Sequence, residues 1–454
     1  MCDATEIAKL RLFLKMVAVV DVDKRDPNLG LDPLPDIDFN IRSGNTLVGY
    51  ATQKELEAGI AYSDFFTAEE FRNKVTEEME KVSLTYDVFK TIQLTQAEDM
   101  AAFKRAKHDL KVRLATLNDL LNRQMYGSVS STVDYDAWLS SHQPFHWLAE
   151  FYEIINDHGG FDVIIGNPPY VECNKIDYNI VFANNTYSNL YAYCLERCSQ
   201  IGKDYSYDGI IVPMSVTSIR EYANLRAFLR KGYKSLYLTN HSIRPQSLFT
   251  GVSQRVSILF MNNSGKDCLY TTKYLRTKDQ SRLFKTLEYH NAFIDESRDK
   301  IVPKIGNILL GSIFSKIHKK KKDILTYRDS YSASMLYMKD YGETYWVFPF
   351  NFNPCLTPVK SFKTLSFETK AIDNIFSVLN SSLFYIFHTT ISDCWHLGTW
   401  HLAEFPISVC DLQIPLSKKL SSSMKTNRIV RYDKRAGGDI YEYKIYKSKP
   451  ILDE

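Results

Sequence analysis

The sequence predicts an α/β fold, in which a doubly wound sheet carries a helical insertion and is followed by an α+β module. Between residues 144 and 263, short apolar runs that end in turn residues alternate with stretches of helical period. Strands that alternate with helices are typical of a doubly wound sheet. Two long amphipathic patterns occupy about residues 66–125, and residues 268–415 are rich in aromatic residues and turn signals.

Composition narrows the class of protein. A chain of 454 residues can hold roughly two to four domains. Its 44% of hydrophobic and 24% of charged residues are typical of a globular protein. The net charge of only +3 excludes a uniformly basic nucleic-acid coat, so phosphate binding must come from local patches. The 13% of aromatic residues could serve base stacking, but a β-rich core is the commoner explanation.

Cysteine usage and hydropathy favour the cytoplasm. Eight cysteines are scattered without a C-x-x-C pair, which indicates neither a zinc ribbon nor a thioredoxin site, and we expect no metal. Cys194 and Cys198 would share one helix face as reduced thiols. The sequence contains no membrane-length apolar run and no signal-peptide pattern. We therefore expect a cytoplasmic protein.

The N-terminal segment predicts one helix and one strand. Within residues 4–18, four apolar side chains recur at helical spacing, namely Ile7, Leu10, Leu14 and Val17. After a loop rich in Pro and Asp, residues 37–41 alternate apolar and polar side chains in the manner of a strand.

A helical hairpin is predicted at about residues 66–125, inserted between two strands. Its second helix carries a basic face made up of Lys104, Arg105, Lys107, Lys111 and Arg113. Such a face is usually solvated, and contact with a DNA backbone is the alternative.

The segment around Asn167 is the most informative. A glycine pair ends a helix, residues 161–166 predict a buried strand, and the strand stops on Asn167-Pro168-Pro169-Tyr170. The prolines fix their own φ angles and lack N–H donors, and a following proline pushes Asn167 toward an extended conformation. Open α/β sheets bind ligands at the carboxyl ends of their strands. An amide oxygen, a bare carbonyl and an aromatic ring at that place suit a planar amine.

The alternation continues downstream of this loop. Helices are predicted at about residues 188–201 and 219–230, and strands at 209–213, 236–238 and 256–261. From about residue 416 the chain turns polar and basic, which predicts a surface tail or strap.

These segments together resemble the adenine-N6 DNA methyltransferases of the type IIG restriction–modification class and related phage-defence methylases. Residues 144–151 and 159–172 are similar to the family's extended methylase motif, and residues 33–47 to the cofactor-side motif that precedes it. Residues 379–384 resemble part of the family's target-recognition domain. The resemblance covers nearly the whole chain. It implies a partial Rossmann-like class I methyltransferase sheet, S-adenosylmethionine as methyl donor and double-stranded DNA as partner.

The resemblance assigns catalysis to Asn167, Pro168, Pro169 and Tyr170. The Asn167 side-chain oxygen and the Pro168 carbonyl would hold the two hydrogens of the adenine amine, and Tyr170 would stack on the flipped base. A structural Asn-Pro turn after a strand is the alternative for the four residues taken alone.

The cofactor half departs from the family pattern. A glycine-rich loop in the family cradles the methionine moiety, but no G-x-G occurs upstream of residue 167 here. The cofactor contacts that do carry over fall on Gly44, Asn45 and Asn167, with an ordinary Gly-Asn turn as the alternative for the first two. We therefore expect a second protein chain to supply the glycine-rich loop, together with the nuclease domain that many relatives carry.

The implied domain order has five parts. They are the N-terminal part of the methyltransferase core (1–58), the helical insertion (59–143), the core with the Asn-Pro-Pro-Tyr motif (144–263), the target-recognition domain (264–415) and the basic C-terminal tail (416–454).

Five basic residues are candidates for DNA contact, namely Lys316, Lys319 and Lys320 in the densest basic run and Arg244 and Arg255 around a turn. A solvated loop is the alternative for the lysine run, whereas phosphate contact would make binding depend on salt. His396 and His401 flank a Gly-Thr-Trp segment, where we favour a recognition loop over a metal site.

The leading hypothesis is a site-specific adenine DNA methyltransferase of a restriction–modification or phage-defence system. The alternative is a catalytically inactive DNA-recognition or scaffold subunit of such a system. Methylation of RNA or of a protein glutamine is a third option, which the large C-terminal module disfavours.

Overall fold

The structure is a computed structural model of the chain. It describes residues 2–21, 24–25, 36–60, 65–95, 99–128, 133–180, 182–183, 185–276, 280–292, 301–318, 322–339, 349–356, 362–407, 414–434, 437–443 and 450–451. The chain divides into two compact units, Met1–Asp208 and Gly209–Glu454. The division falls inside the segment 144–263 that the resemblance assigns to one domain.

The first unit is mainly helical. Its elements are α1 (Cys2–Ala18), α2 (Gln53–Ile60), α3 (Phe65–Thr95), α4 (Met100–Ser128), α5 (Tyr135–His142), α6 (Trp147–Glu150), strand β1 (Phe161–Gly166) and α7 (Leu190–Ile201). The predicted N-terminal helix, the helical hairpin and the helix after the Asn-Pro-Pro-Tyr loop are therefore confirmed. The hairpin packs along its length, because the buried leucines of α4, from Leu110 to Leu121, share one core with Val75 and Val82 of α3.

The basic face of α4 is only partly solvated. Lys107 Nζ lies 2.6 Å from Asp38 Oδ2 and is also paired with Asp36, and Lys111 lies 3.3 Å from the same Asp38 oxygen. These lysines hold the pKa of the Asp38 carboxyl well below its usual range. The ion pairs bind the segment at Asp36 and Asp38 to the insertion.

The strand predicted at residues 37–41 is wrong. The Asn40 N–H donates to the Ile37 carbonyl at 3.1 Å, which closes a turn. Phe39 is buried edge-on against Phe89, with ring centroids 5.0 Å apart. The alternation of apolar and polar residues therefore arises from one buried ring flanked by ion-paired carboxylates, and not from two faces of a sheet.

The main sheet is mixed. Its further strands are β2 (Gly202–Pro213), β3 (Ser235–His241), β4 (Val256–Asn262), β5 (Cys268–Leu275) and β6 (His290–Asn291). The strand order is β1-β2-β4-β3-β5-β6, and the division between the two units falls inside β2. β3 pairs antiparallel with β4 and parallel with β5. The predicted strands at 161–166, 209–213, 236–238 and 256–261 all form.

The prediction that β1 is buried is wrong. Val163 is 55% and Ile165 is 84% exposed. β1 is the first strand in the order of the described sheet, so one of its edges has no described neighbour. The apolar pattern of β1 therefore does not correspond to burial among the described residues.

The second unit contains the remaining elements. They are α8 (Ser215–Ser218), α9 (Ala223–Gly232), α10 (Ile308–His318), β7 (Met335–Lys339), β8 (Pro349–Phe350), β9 (Phe362–Ser366), α11 (Ile372–Leu379), α12 (Ser382–Ile391), α13 (Thr399–Glu404), α14 (Ile414–Thr426), β10 (Arg428–Asp433) and β11 (Gly438–Tyr443). β7 lies between β8 and β9 in a small antiparallel sheet. An aromatic core that includes Phe376, Phe384, Phe387 and Phe405 joins these helices.

The prediction of a C-terminal tail or strap is also wrong where the structure describes it. α14 buries Leu420 and Met424 in the core of the second unit. β10 and β11 form an antiparallel hairpin, and Ile440 is buried beside Cys355. The basic side chains of α14 point outward, so the polar composition belongs to the outer face of a packed helix.

Candidate active site

The Asn-Pro-Pro-Tyr loop follows the last residue of β1 directly. Asn167 and Pro169 are exposed, whereas Pro168 and Tyr170 are half-buried. The Tyr170 hydroxyl donates to Asn167 Oδ1 at 2.9 Å. The ring of Tyr170 meets Tyr191 edge-on at 6.5 Å, and burial raises the pKa of its phenol. An amide oxygen and an aromatic ring therefore share one accessible loop.

The residues after Tyr170 are fastened to the start of α7. The Leu190 N–H donates to the Val171 carbonyl at 2.9 Å, and Glu172 forms an antiparallel bridge with Asn189. Asn189 also caps α7, since its side chain accepts from the Tyr191 N–H. A helix begun at that point holds Tyr191 against Tyr170, so the loop is anchored on both sides.

Gly44 and Asn45 pack against the first part of the methylase motif. Asn45 forms a parallel bridge with Pro144, and its N–H donates to the Gln143 carbonyl at 2.7 Å. A Cβ on Gly44 would lie 2.7 Å from Cδ2 of Phe145, so only glycine fits there without a shift. The half-buried Asn45 side chain accepts from the Leu47 N–H at 3.1 Å.

A buried ion pair, which the sequence did not indicate, joins this segment to α7. Arg197 is almost fully buried, and its Nη1 lies 2.6 Å from Glu55 Oε1. The same guanidinium donates to the Thr46 carbonyl at 3.1 Å and the Gly49 carbonyl at 3.4 Å, and it lies 3.6 Å from the centroid of the Phe182 ring. Burial lowers the pKa of Arg197, an effect that Glu55 opposes. The clamp fixes the Gly44–Asn45 segment relative to the helix behind the Asn-Pro-Pro-Tyr loop.

His146 stabilises the same region from within the motif. Its Nδ1 accepts from the Tyr50 N–H, and its Nε2 lies 3.0 Å from Asn122 Oδ1, which places the ring proton on Nε2. Burial lowers the pKa of His146 to about 3, so the ring is neutral. His146 therefore has a structural role between α4 and the segment at Tyr50.

The proposed DNA contacts differ in their surroundings. Arg244 is exposed and precedes a cis proline, and Lys316 is exposed on α10. Arg255 is half-buried, stacked on Trp395 and hydrogen-bonded to Tyr274, so its side chain is far more ordered than a solvated arginine. Lys319 and Lys320 lie outside the described residues.

Two features are absent from the part of the chain that the structure describes. Among the described residues, no group of three or more His, Cys, Asp or Glu side chains is placed to hold a metal ion. The two histidines that flank the Gly-Thr-Trp segment have other partners, since His396 is hydrogen-bonded to Asp393 at 2.6 Å and His401 accepts from the Gly398 N–H.

Among the described helices, none combines the length and the apolar character that crossing a bilayer requires.

Comparison with known sequences assigns the class of protein. The family model described as Eco57I restriction-modification methylase matches residues 2–243, which is more than half of the chain. The class is therefore that of the restriction-modification methylases. The chain belongs to the Eco57I restriction-modification methylase family.

Two curated relatives agree with this assignment. The chain is 26% identical over 396 residues to a putative type II restriction enzyme and methyltransferase of Methanocaldococcus jannaschii, covering 73% of this chain and 31% of the relative. It is 28% identical over 166 residues to the type II restriction enzyme and methyltransferase Eco57I of Escherichia coli, covering 33% of this chain and 16% of the relative. The chain thus spans less than a third of the length of either relative.

Solved structures of restriction-modification enzymes overlap part of the chain. A nuclease-deletion mutant of the Type ISP enzyme LlaGI, in complex with a DNA substrate mimic, is 14% identical with a TM-score of 0.29, over 54% of this chain and 26% of that one. A modification subunit of a putative type I restriction enzyme from Vibrio vulnificus is 10% identical with a TM-score of 0.24, over 42% of this chain and 53% of that one.

Proposed function

We propose that the protein is a site-specific adenine DNA methyltransferase of a restriction-modification or phage-defence system, which transfers a methyl group to the N6 amine of a flipped adenine. The observation that carries the proposal is the anchored Asn-Pro-Pro-Tyr loop at the end of β1. Asn167 is exposed there beside the half-buried ring of Tyr170. Membership of a methylase family supports the same activity.

In the proposed reaction the chain holds and orients the amine. The lone pair of an exocyclic adenine amine is delocalised into the ring, so the nitrogen is a poor nucleophile. Asn167 Oδ1 and the Pro168 carbonyl accept its two hydrogens, which favours the pyramidal amine and stabilises the charge that develops on it. Tyr170 stacks on the extruded base, a contact worth about 1–3 kcal/mol for base–aromatic pairs. The base leaves the duplex because its N6 is out of reach inside the stack.

S-adenosylmethionine would supply a methyl group on a sulfonium centre. The residues present fit one part of that molecule. The half-buried Asn45 amide is the kind of group that pairs with an adenine edge, and Gly44 positions it by packing closely against Phe145. Asn167 would lie beside the methyl group. The remaining contacts need a glycine-rich segment.

We further propose that a second polypeptide supplies this segment and covers apolar surface of the first unit. Ile7, Leu10, Leu14 and Val17 follow one another at helical spacing on α1, and all four are exposed. Val163 and Ile165 are exposed on β1 as well. Apolar surface on an edge strand and an amphipathic helix suits a partner that adds a strand and a helix.

The fold and domain assignments extend the same proposal. We assign the sheet to the Rossmann-like class I arrangement, with the insertion at 59–143 between core segments 1–58 and 144–263. We assign DNA recognition to residues 264–415, onto which α14 packs through Leu420 and Met424. Because its substrate would be cellular DNA, we place the protein in the cytoplasm.

The test is a methyl-transfer and cofactor-binding assay on the chain alone and with the product of the adjacent upstream gene. We expect N6-methyladenine in duplex DNA only when both proteins are present. Full activity of the chain alone would contradict the proposal that a second polypeptide supplies the glycine-rich segment. Asn167→Ala should abolish methylation and leave DNA binding intact. Asn174→Ala, at a neighbouring exposed asparagine, is the matched control.

The rival function is a DNA-recognition or scaffold subunit without catalysis. One observation favours it, since Asn167 Oδ1 already accepts the Tyr170 hydroxyl. An Asn167→Ala variant with wild-type phage resistance and DNA modification would support the scaffold. RNA and a protein glutamine are the other candidate substrates. Methylation of duplex DNA in the presence of excess RNA or of a glutamine-containing peptide shows which of the three the protein prefers.

A further inference from the structure

The second unit holds two arginines and three aromatic residues in one connected group, which we call the arginine–aromatic cluster. Its members are Arg255 before β4, Tyr274 on β5, Arg276 after β5, Tyr385 on α12 and Trp395 in the loop between α12 and α13. Arg255, Tyr274 and Arg276 lie in one segment and Tyr385 and Trp395 in another, more than 100 residues later, so only the fold brings the two segments together.

Arg255 is held on two sides and unsatisfied on a third. Its Cζ lies 4.6 Å from the centroid of the Trp395 ring, and its Nε donates to the Tyr274 hydroxyl at 3.1 Å. Its Nη2 is buried and has no hydrogen-bond partner among the described residues. A buried charged donor without an acceptor is destabilising, and each such group in a native protein needs an explanation.

Tyr274 joins the two arginines. Its hydroxyl accepts from Arg255, while the Arg276 Cζ lies 5.6 Å from its ring centroid. Arg276 also donates to the Tyr385 hydroxyl. Two guanidinium groups on one phenol repel each other unless an anion lies nearby, and among the described residues Arg255 makes no ion pair with a carboxylate.

The acid on the Trp395 loop, Asp393, is already engaged. Asp393 accepts from the Trp395 N–H at 2.9 Å and from His396 Nδ1 at 2.6 Å. The loop itself is fixed, because the buried Lys304 donates to the Ser392 carbonyl at 2.5 Å and His388 Nε2 to the His396 carbonyl at 2.9 Å. The ring beneath Arg255 is therefore a preformed surface and not a mobile side chain.

We propose that the arginine–aromatic cluster is a phosphate-binding site for the DNA backbone. The half-buried Arg255 and the exposed Arg276 set two guanidinium groups against aromatic rings of one cluster, and this arrangement matches a phosphodiester in charge. Such a contact positions a duplex without reading its sequence. The inference rests on the proposed function in one respect, because it takes DNA as the partner. To that function it adds the side chains that would hold a backbone phosphate.

The test is fluorescence anisotropy of labelled duplex DNA with the full chain over a series of NaCl concentrations, without methyl donor. Arg255→Gln should weaken binding about tenfold at low salt and reduce the slope of log affinity against log salt by about 0.9, the contribution of one phosphate contact. The loss should be the same on unrelated sequences. Arg428→Gln is the matched control, since Arg428 is stacked on Tyr441 at 4.2 Å outside the cluster.

A folded Arg255→Gln variant with wild-type affinity and salt slope would overturn the proposal. If that variant does not fold, Tyr274→Phe decides, because it keeps the ring and removes the hydroxyl that orients Arg255. Wild-type affinity in folded Tyr274→Phe counts against the site. A thermal unfolding measurement with inorganic phosphate distinguishes a DNA phosphate from a free phosphate ion. If phosphate stabilises the wild type while Arg255→Gln leaves the DNA salt slope unchanged, the site binds a free anion and the proposal is overturned. The assay contains no methyl donor and measures binding alone, so its outcome is independent of whether the methylation proposal fails.

Discussion

The hydroxyl of Tyr170 donates a 2.9 Å hydrogen bond to Oδ1 of Asn167. That oxygen is also the acceptor that the proposed reaction requires for the adenine amine. An incoming base must therefore displace the hydroxyl while the ring of Tyr170 stays available for stacking. Within the loop the Tyr170 hydroxyl thus satisfies the Asn167 oxygen, and in the proposed reaction the adenine amine would take over that acceptor.

This contact leads to opposite expectations for two substitutions of Tyr170. Tyr170→Phe keeps the ring and frees Asn167 Oδ1, so methyl transfer should be retained or rise. Tyr170→Ala removes the stacking surface, which is worth about 1–3 kcal/mol, and should lower kcat/KM roughly 5- to 150-fold. Steady-state methylation of duplex DNA measures both. Tyr207→Phe, at an exposed tyrosine of β2, controls for loss of a hydroxyl elsewhere, and equal activities of the two Tyr170 variants would contradict stacking.

The Arg197–Glu55 pair should carry much of the stability of the first unit. Glu55→Gln leaves a buried guanidinium without its counter-charge, which costs about 3–5 kcal/mol in comparable pairs. Denaturant unfolding monitors the change. Glu77→Gln, which removes a carboxylate from the exposed pair with Lys81, should have no measurable effect. If both substitutions behave alike, the clamp is not structural.

Stability should fall as the pH drops below about 6.5, because His146 is held neutral. Burial lowers its pKa from 6.5 to about 3, so between these values the unfolded chain binds a proton that the folded chain does not. The contribution of His146 to the free energy of unfolding is therefore complete above pH 6.5. Between pH 6.5 and about 3 it falls by up to about 1.4 kcal/mol for each pH unit.

The substitution His146→Asn tests this dependence. The variant should be less stable at neutral pH, since it loses a ring nitrogen that accepts from Tyr50, but its stability should decline less steeply with falling pH. Urea unfolding at several pH values gives both quantities. His108→Asn, at an exposed position of α4, is the matched control, and an unchanged slope in His146→Asn would refute the assignment.

Ile165→Ser should weaken association with a partner without weakening the fold. The side chain is 84% exposed, so the free energy of unfolding should change by no more than about 0.5 kcal/mol. Co-purification with the upstream gene product measures association. Leu94→Ser, at a leucine of α3 that is 82% exposed, is the control. Equal partner binding by wild type and Ile165→Ser would remove β1 from the proposed interface.

Much of the local structure could be predicted from the sequence. The helical period of residues 66–125 is a property of the segment itself, and α3 and α4 form there. The strand before Asn167 was predictable for the same reason, as was its abrupt end, because proline geometry acts on adjacent residues alone. The choice of Asn167 and Tyr170 as candidate site residues needed no tertiary information.

Other features depend on partners far along the chain. The residues near Phe39 alternate like a strand, yet form a turn, because lysines of α4 draw in Asp36 and Asp38. The apolar run of β1 predicts burial but cannot say which surface covers it. Patterning registers the hydrophobicity of a segment and not the number of its neighbours.

By itself, then, the sequence determined the helices, the strand that ends on Asn-Pro-Pro-Tyr and the family to which the chain belongs. Only the tertiary structure decided that Arg197 binds Glu55, that Tyr170 occupies Asn167 and that Arg255 stacks on Trp395 with a donor left over. The physical reason is range. Backbone preferences act between neighbours in sequence, whereas ion pairs, stacking and unsatisfied donors depend on which distant side chains the fold brings within a few ångströms.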